Sequence, residues 1–153
     1  MKVLVTGDRE WTDGPAIKQA LLDVHATSVV EGECRGADTL ARNAAFAIGL
    51  PVYAHPADWA ALGKRAGPAR NQEMLDKHKD IELVLAFHDA LSDSRGTLDM
   101  VVRSLAAKKT VTLFRHAKCR RREDGAWVYE GGFMKVATAT CQEELSGLLS
   151  AAR

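Results

Sequence analysis

The chain has 153 residues, 46% of them hydrophobic and 27% charged, with a formal net charge of +1. That composition excludes a disordered chain and a uniformly basic protein, and the length suits a single domain over residues 1–153 with a sizeable core. Cys34, Cys119 and Cys141 are an odd number without C-x-x-C spacing, so neither a disulfide scaffold nor a zinc site is indicated. With no signal-peptide h-region and no apolar run of membrane length, a cytoplasmic protein without a membrane partner is expected.

Val3-Leu4-Val5 reads as a short buried strand, broken by Thr6-Gly7-Asp8-Arg9. Asp13-Gly14-Pro15 starts a helix whose apolar face is Ile17, Leu21, Leu22 and Val24. Ser28-Val29-Val30-Glu31-Gly32 repeats the strand-then-glycine pattern. A small-residue helix carrying Leu40, Ala44, Ala45 and Ala47 then runs from Gly36 to Ile48. Leu50 to Ala54 is a third strand. Gly67-Pro68 predicts a helix with Pro at its first position and Arg70 and Asn71 in its first turn, continued by Met74 and Leu75 and ended by 77–80.

Leu83-Val84-Leu85-Ala86-Phe87 is the most apolar strand and is expected at the centre of the sheet. Gly96-Thr97 opens a helix with Leu98, Val101, Val102 and Leu105 on its apolar face, and Thr110 to Phe114 forms a fifth strand. This alternation predicts an α/β fold of right-handed βαβ units, with a parallel sheet covered on both faces. The last third differs. A basic arm, Lys118–Arg122, turns at Glu123–Ala126 into Trp127-Val128-Tyr129 as a hairpin. Gly131-Gly132 makes a second turn before Phe133–Val136, and a helix from Gln142 to Leu149 closes the chain. The arm reads either as a solvated edge guard or as a track for a nucleic-acid backbone.

In an open α/β sheet, ligands bind beyond the carboxyl ends of the strands. Four of those ends hold most of the chain's glycine-polar clusters. Gly32 to Asp38 is a glycine-bounded turn into a helix, whose N–H groups suit a phosphate while Asp38 accepts from a hydroxyl or caps the helix. It matches neither a dinucleotide fingerprint nor a Walker A loop, so NAD or ATP is not supported and no cofactor is expected. Arg70 in a first turn opposes the helix dipole; it either faces an anion or is capped by a nearby carboxylate. Asp99 is a dipole partner of its own helix unless it lies across from Arg70, where the pair would hold a ribose and activate a water. Trp59 either stacks on a base or covers the sheet. His55 and His88 either line the strand ends or, the preferred reading, are solvated, and no spacing suggests a metal.

Five stretches together resemble a known family: Thr6-Gly7-Asp8-Arg9-x-Trp11-x-Asp13, Gly32-x-x-x-Gly36-Ala37-Asp38-x-x-Ala41, Ala57-Asp58-Trp59, Gly63-Lys64-x-Ala66-Gly67-Pro68-x-Arg70-Asn71-x-x-Met74 and Gly96-Thr97. Over residues 1–115 the chain is similar to the YspA-like, YpsA-related branch of the SLOG superfamily, which includes the Lonely Guy phosphoribohydrolases, DprA and sensors of nucleotide-derived signals. The resemblance implies a Rossmann-like three-layer fold with about five mainly parallel strands, followed over 116–153 by the hairpin and helix. It also implies a nucleotide-derived ligand held by Gly7, Arg9, Gly32, Gly36, Asp38, Asp58, Trp59, Lys64, Arg70, Asn71, Gly96 and Thr97, in a homodimer. In the phosphoribohydrolases a catalytic Arg acts with a Glu in P-G-G-x-G-T-x-x-E; Arg70 and Asp99 are most like them here. Ser94-Arg95 stands where the paired glycines would be, and Asp99 is a shorter acid one residue nearer the Thr. Three functions follow: an N-glycoside hydrolase, a non-catalytic sensor, and a DprA-like nucleic-acid binder, the last disfavoured by a charge of only +1.

Overall fold

The computed structural model of the protein describes residues 1–116, 119–121, 123–124, 127–129 and 134–151. Strand β1 (Lys2–Gly7) leads to helix α1 (Gly14–Asp23), where the Asp13 side chain accepts the Ala16 N–H at 3.0 Å. Strand β2 (Ser28–Glu31), helix α2 (Ala37–Ala47) and the short strand β3 (Val52–Ala54) follow. A single helical turn, α3 (Trp59–Leu62), and a 3-10 turn (Gly63–Arg65) run into α4 (Ala66–Lys77). The chain continues through β4 (Leu83–Phe87), a 3-10 turn (Leu91–Asp93), α5 (Gly96–Ala106) and β5 (Thr110–His116). It ends with β6 (Cys119–Arg121), β7 (Trp127–Tyr129), β8 (Met134–Ala139) and α6 (Leu145–Ala151).

The main sheet has six strands in the order β3-β2-β1-β4-β5-β8, five parallel and β8 antiparallel on β5. The α/β three-layer fold and the central place of β4 agree with expectation. Two details do not. The segment after the hairpin joins the main sheet as its sixth strand, because Val136 to Ala139 fall into register opposite Phe114 to Val111. And α4 starts at Ala66, so Pro68 is its third residue and Arg70 its fifth. Pro is tolerated there because the first four helical N–H groups have no partner within the helix.

The predicted pairing of the basic arm is present in its central part, with Cys119 opposite Tyr129 and Arg121 opposite Trp127. Lys118, Arg122, Gly125, Ala126, the Gly131-Gly132 turn and Phe133 lie outside the described residues.

Side-chain alternation assigns each strand residue to a face. On one face Leu4, Val30, Val84, Ala86, Val111 and Leu113 pack with Met74 of α4, Met100 and Leu105 of α5 and Leu148 of α6. On the other, Val3, Val5, Val29, Leu85 and Phe87 meet Ile17 and Leu21 of α1 and Ala41 and Ala45 of α2. Leu22, Ala47 and Val102, expected on apolar faces, are exposed. No helix among the described residues is long and apolar enough to cross a membrane.

Candidate functional site

Register places Gly7, Phe87 and Phe114 side by side at the carboxyl ends of β1, β4 and β5. The turn after β2 lies on the face lined by α4, and a buried arginine holds it. Arg70 is only 8% exposed. Its Nη1 donates to the Gly32 carbonyl and, at 3.3 Å, to the His55 carbonyl; its Nε donates to Asn71 Oδ1 at 3.0 Å, and Nη2 reaches Cys34 Sγ at 3.7 Å. A Cβ at Gly32 would meet the Arg70 guanidinium, which would have to shift to admit it. Asp38, 6% exposed, closes the same turn by accepting the Gly32 and Cys34 N–H groups at 3.1 and 3.3 Å. Burial pushes its carboxyl up to about 6, against the opposing pull of Arg70 and the two N–H donors.

Asn71 carries the network into α5. Its Nδ2 donates to the Gly96 carbonyl at 3.3 Å and to Asp99 Oδ2 at 2.9 Å. Asp99 Oδ2 also accepts Arg103 Nε at 2.8 Å, and Arg103 Nη1 donates to Gln72 Oε1 at 3.0 Å. Arg70 and Asp99 therefore meet through the Asn71 amide rather than directly. Asp99 is fixed by two donors on one carboxylate oxygen.

Gly7 and Gly36 are glycines for reasons of packing. A Cβ on Gly7 would stand 2.6 Å from Ala37 Cβ and 2.5 Å from the Phe87 carbonyl oxygen; one on Gly36, at φ 77°, would strike the Asp8 and Arg9 backbone. The β1–α1 loop is thereby pressed onto the start of α2, where Ala37 N–H donates to the Asp8 carbonyl at 3.1 Å. Arg9 lies over the Trp59 ring, 5.5 Å from its centre. Trp59 is 49% exposed, with one edge against Gly67. Asp58 caps α3, accepting the Ala61 N–H at 3.0 Å, and Lys64 is exposed on the following turn. Thr97 is buried at the start of α5, where its N–H donates to Ser94 Oγ at 3.1 Å.

The structure thus brings Gly32, Asp38, Arg70, Asn71, Gly96 and Asp99 into one connected network. Gly7, Arg9, Gly36 and Trp59 form a second group, built around the β1–α1 loop, and Asp58 and Lys64 stand outside both. Among the described residues no cluster of three or more His, Cys, Asp or Glu is placed to hold a metal ion.

The family model described as YspA, cpYpsA-related SLOG family matches residues 1–61. The chain is also 38% identical to the Gene 61 protein of Mycobacterium phage D29 over 106 residues, which is 63% of this chain and 82% of that protein. This chain belongs to the YspA, cpYpsA-related SLOG family. Membership supports a nucleotide-related ligand-binding role in general. The matched SLOG segment contains Gly7, Arg9, Gly32, Gly36, Asp38, Asp58 and Trp59, whereas Arg70, Asn71 and Asp99 lie beyond it.

Of the two histidines placed at the strand ends from sequence, neither is simply solvated, and Arg103 and Arg115 were not singled out. His88, expected to be solvated, is 9% exposed; its Nδ1 accepts the Ala90 N–H at 3.0 Å, leaving Nε2 toward Asp8 Oδ2 at 3.9 Å. Burial holds its pKa below the ordinary value, against Asp8, Asp89 and Asp93. His55 also has partners: its Nε2 lies 2.8 Å from His78 Nε2. Arg103 was legible as the i+4 partner of Asp99. Arg115 was legible from alternation along β5, which puts it on the face of Val111 and Leu113.

Proposed function

We propose that the protein binds a nucleotide-derived ligand at the carboxyl ends of its parallel strands. The observation that supports this reading is the buried network from Asp38 through Arg70 and Asn71 to Asp99. It fixes polar groups of three chain segments, the Gly32–Asp38 turn, α4 and α5, at the end of the sheet where ligands of α/β folds bind. Arg9 stacked on the half-exposed Trp59 provides a flat cationic surface of the kind that accepts a base or a phosphate. Titration of the protein with nucleoside monophosphates and ADP-ribose by calorimetry tests the proposal. Absence of binding by every member of that panel overturns it.

A second, sharper reading is hydrolysis of the ligand's N-glycosidic bond, and one observation favours it. Asp99 sits in the first turn of α5 as a carboxylate held by Asn71 and Arg103. Such a group stabilises an oxocarbenium-like centre while water adds to the anomeric carbon and the base leaves with the C–N electron pair and a proton. Chromatography of the incubated panel decides it: free base in the products supports hydrolysis, and ligand returned unchanged supports a sensor. Retardation of single-stranded DNA at physiological salt would instead favour nucleic-acid binding.

A further inference from the structure

We infer that Arg115 is an anion-binding residue that recognises a phosphoryl group of the ligand; the inference rests on the nucleotide-binding reading proposed above. Three observations carry it. The first is position. One residue beyond the Gly7–Phe87–Phe114 row, the Asp8 N–H donates to the Phe87 carbonyl at 2.9 Å and the His88 N–H to the Phe114 carbonyl at 3.1 Å. The parallel ladder therefore continues past the strand ends, and Asp8, His88 and Arg115 form the next row across β1, β4 and β5.

The second is direction. Alternation sends Arg115 to the side of Val111 and Leu113, the face covered by α4 and α5, where Arg70, Asn71, Thr97 and Asp99 also lie. The third is electrostatic. Arg115 is only 6% exposed, and its Nε is enclosed without a hydrogen-bond partner. Among the described residues no carboxylate pairs with it. A guanidinium cannot shed its charge at any accessible pH, and here it is held largely buried with its Nε unmatched. Other buried polar residues of this molecule are matched: Glu31 by Arg42 at 3.0 Å, Arg70 by two carbonyls and an amide. Among the described residues Arg115 Nε is the exception, and Arg115 stands at the end of the sheet where a ligand's anionic group would meet it.

The test compares the full chain with Arg115→Met, which keeps the stem volume and removes the charge, using inorganic phosphate, AMP and adenosine as probes. In the parent, phosphate and AMP should raise the melting temperature, and AMP should bind more tightly than adenosine. Arg115→Met should lose the phosphate response and weaken AMP by about one to two decades, leaving adenosine unchanged. Its melting temperature without ligand should equal or exceed the parent's, since a buried Nε without a partner is gone. A variant that keeps the parent's response to phosphate and AMP overturns the inference, as does one that melts lower without ligand. A parent that binds AMP and adenosine equally keeps the nucleotide reading and discards the phosphoryl contact. A parent that binds phosphate through Arg115 but no nucleotide does the reverse. One that binds none of the three probes overturns both.

Discussion

Arg70 holds the Gly32 turn and the His55 backbone at once, so it is a structural residue before it is anything else. Arg70→Ala leaves buried carbonyls without a donor and should cost about 1–3 kcal/mol, read from the urea midpoint. A parent-like midpoint would show that the contacts are incidental. Asp38 makes a second claim at this scale. Its folded pKa stands at about 6 against an ordinary 3.8. The folded state therefore holds a proton that the unfolded chain has already released. The stabilising contribution is complete below the unfolded value and is lost as pH rises through about 6. Asp38→Asn should flatten stability between those two values, as followed by thermal melts across the range.

At the scale of elements, His116 ties three of them together. Its Nδ1 meets Asp89 after β4 at 3.0 Å, and its Nε2 meets Asp13, the cap of α1, at 2.9 Å. The ring stacks on Trp11 with centres 4.4 Å apart. Burial lowers its pKa, but the bonds to Asp89 and Asp13 outweigh that and raise it above the ordinary 6.5. Protonation therefore stabilises the junction below the unfolded value, and the contribution is lost as pH rises through the raised folded one. Proton NMR should find the His116 titration above 6.5 in the parent and lower in Asp89→Asn. An unchanged midpoint would mean the contact carries no energy. A glycine fixes another junction. Gly7→Ala must push β1 away from β4 or α2 away from both, and should cost about 1–3 kcal/mol by denaturant unfolding. A loss of a few tenths would show that the layers give easily.

For the whole molecule, local chemistry revealed the elements and hid their partners. The run Leu83 to Phe87 announces a buried strand, and Asp13-Gly14-Pro15 announces a helix, because period and capping act over a few residues. Long-range contacts leave no such trace. Arg70 and Gly32 are 38 residues apart, and Asn71 and Asp99 are 28 apart. Nothing local shows that a guanidinium would sit over Gly32, or that an amide would stand between Arg70 and Asp99. His88 looked solvated because the residue after a strand usually is; the ladder's extra step past Phe87 buries it. The place of β8 was hidden for the same reason, since its partner β5 precedes it by a whole hairpin.

The antiparallel β8 also has a meaning in time. Once the chain through His116 has left the ribosome, all five parallel strands are present, yet β5 still lacks the partner that β8 supplies. One core is still missing Ala139 and Leu148. Until the C-terminal segment emerges, the nascent sheet offers a strand-accepting edge to any neighbouring nascent chain on the same message. With β8 in place that edge moves outward by one strand, and the core on that face gains Ala139 and Leu148.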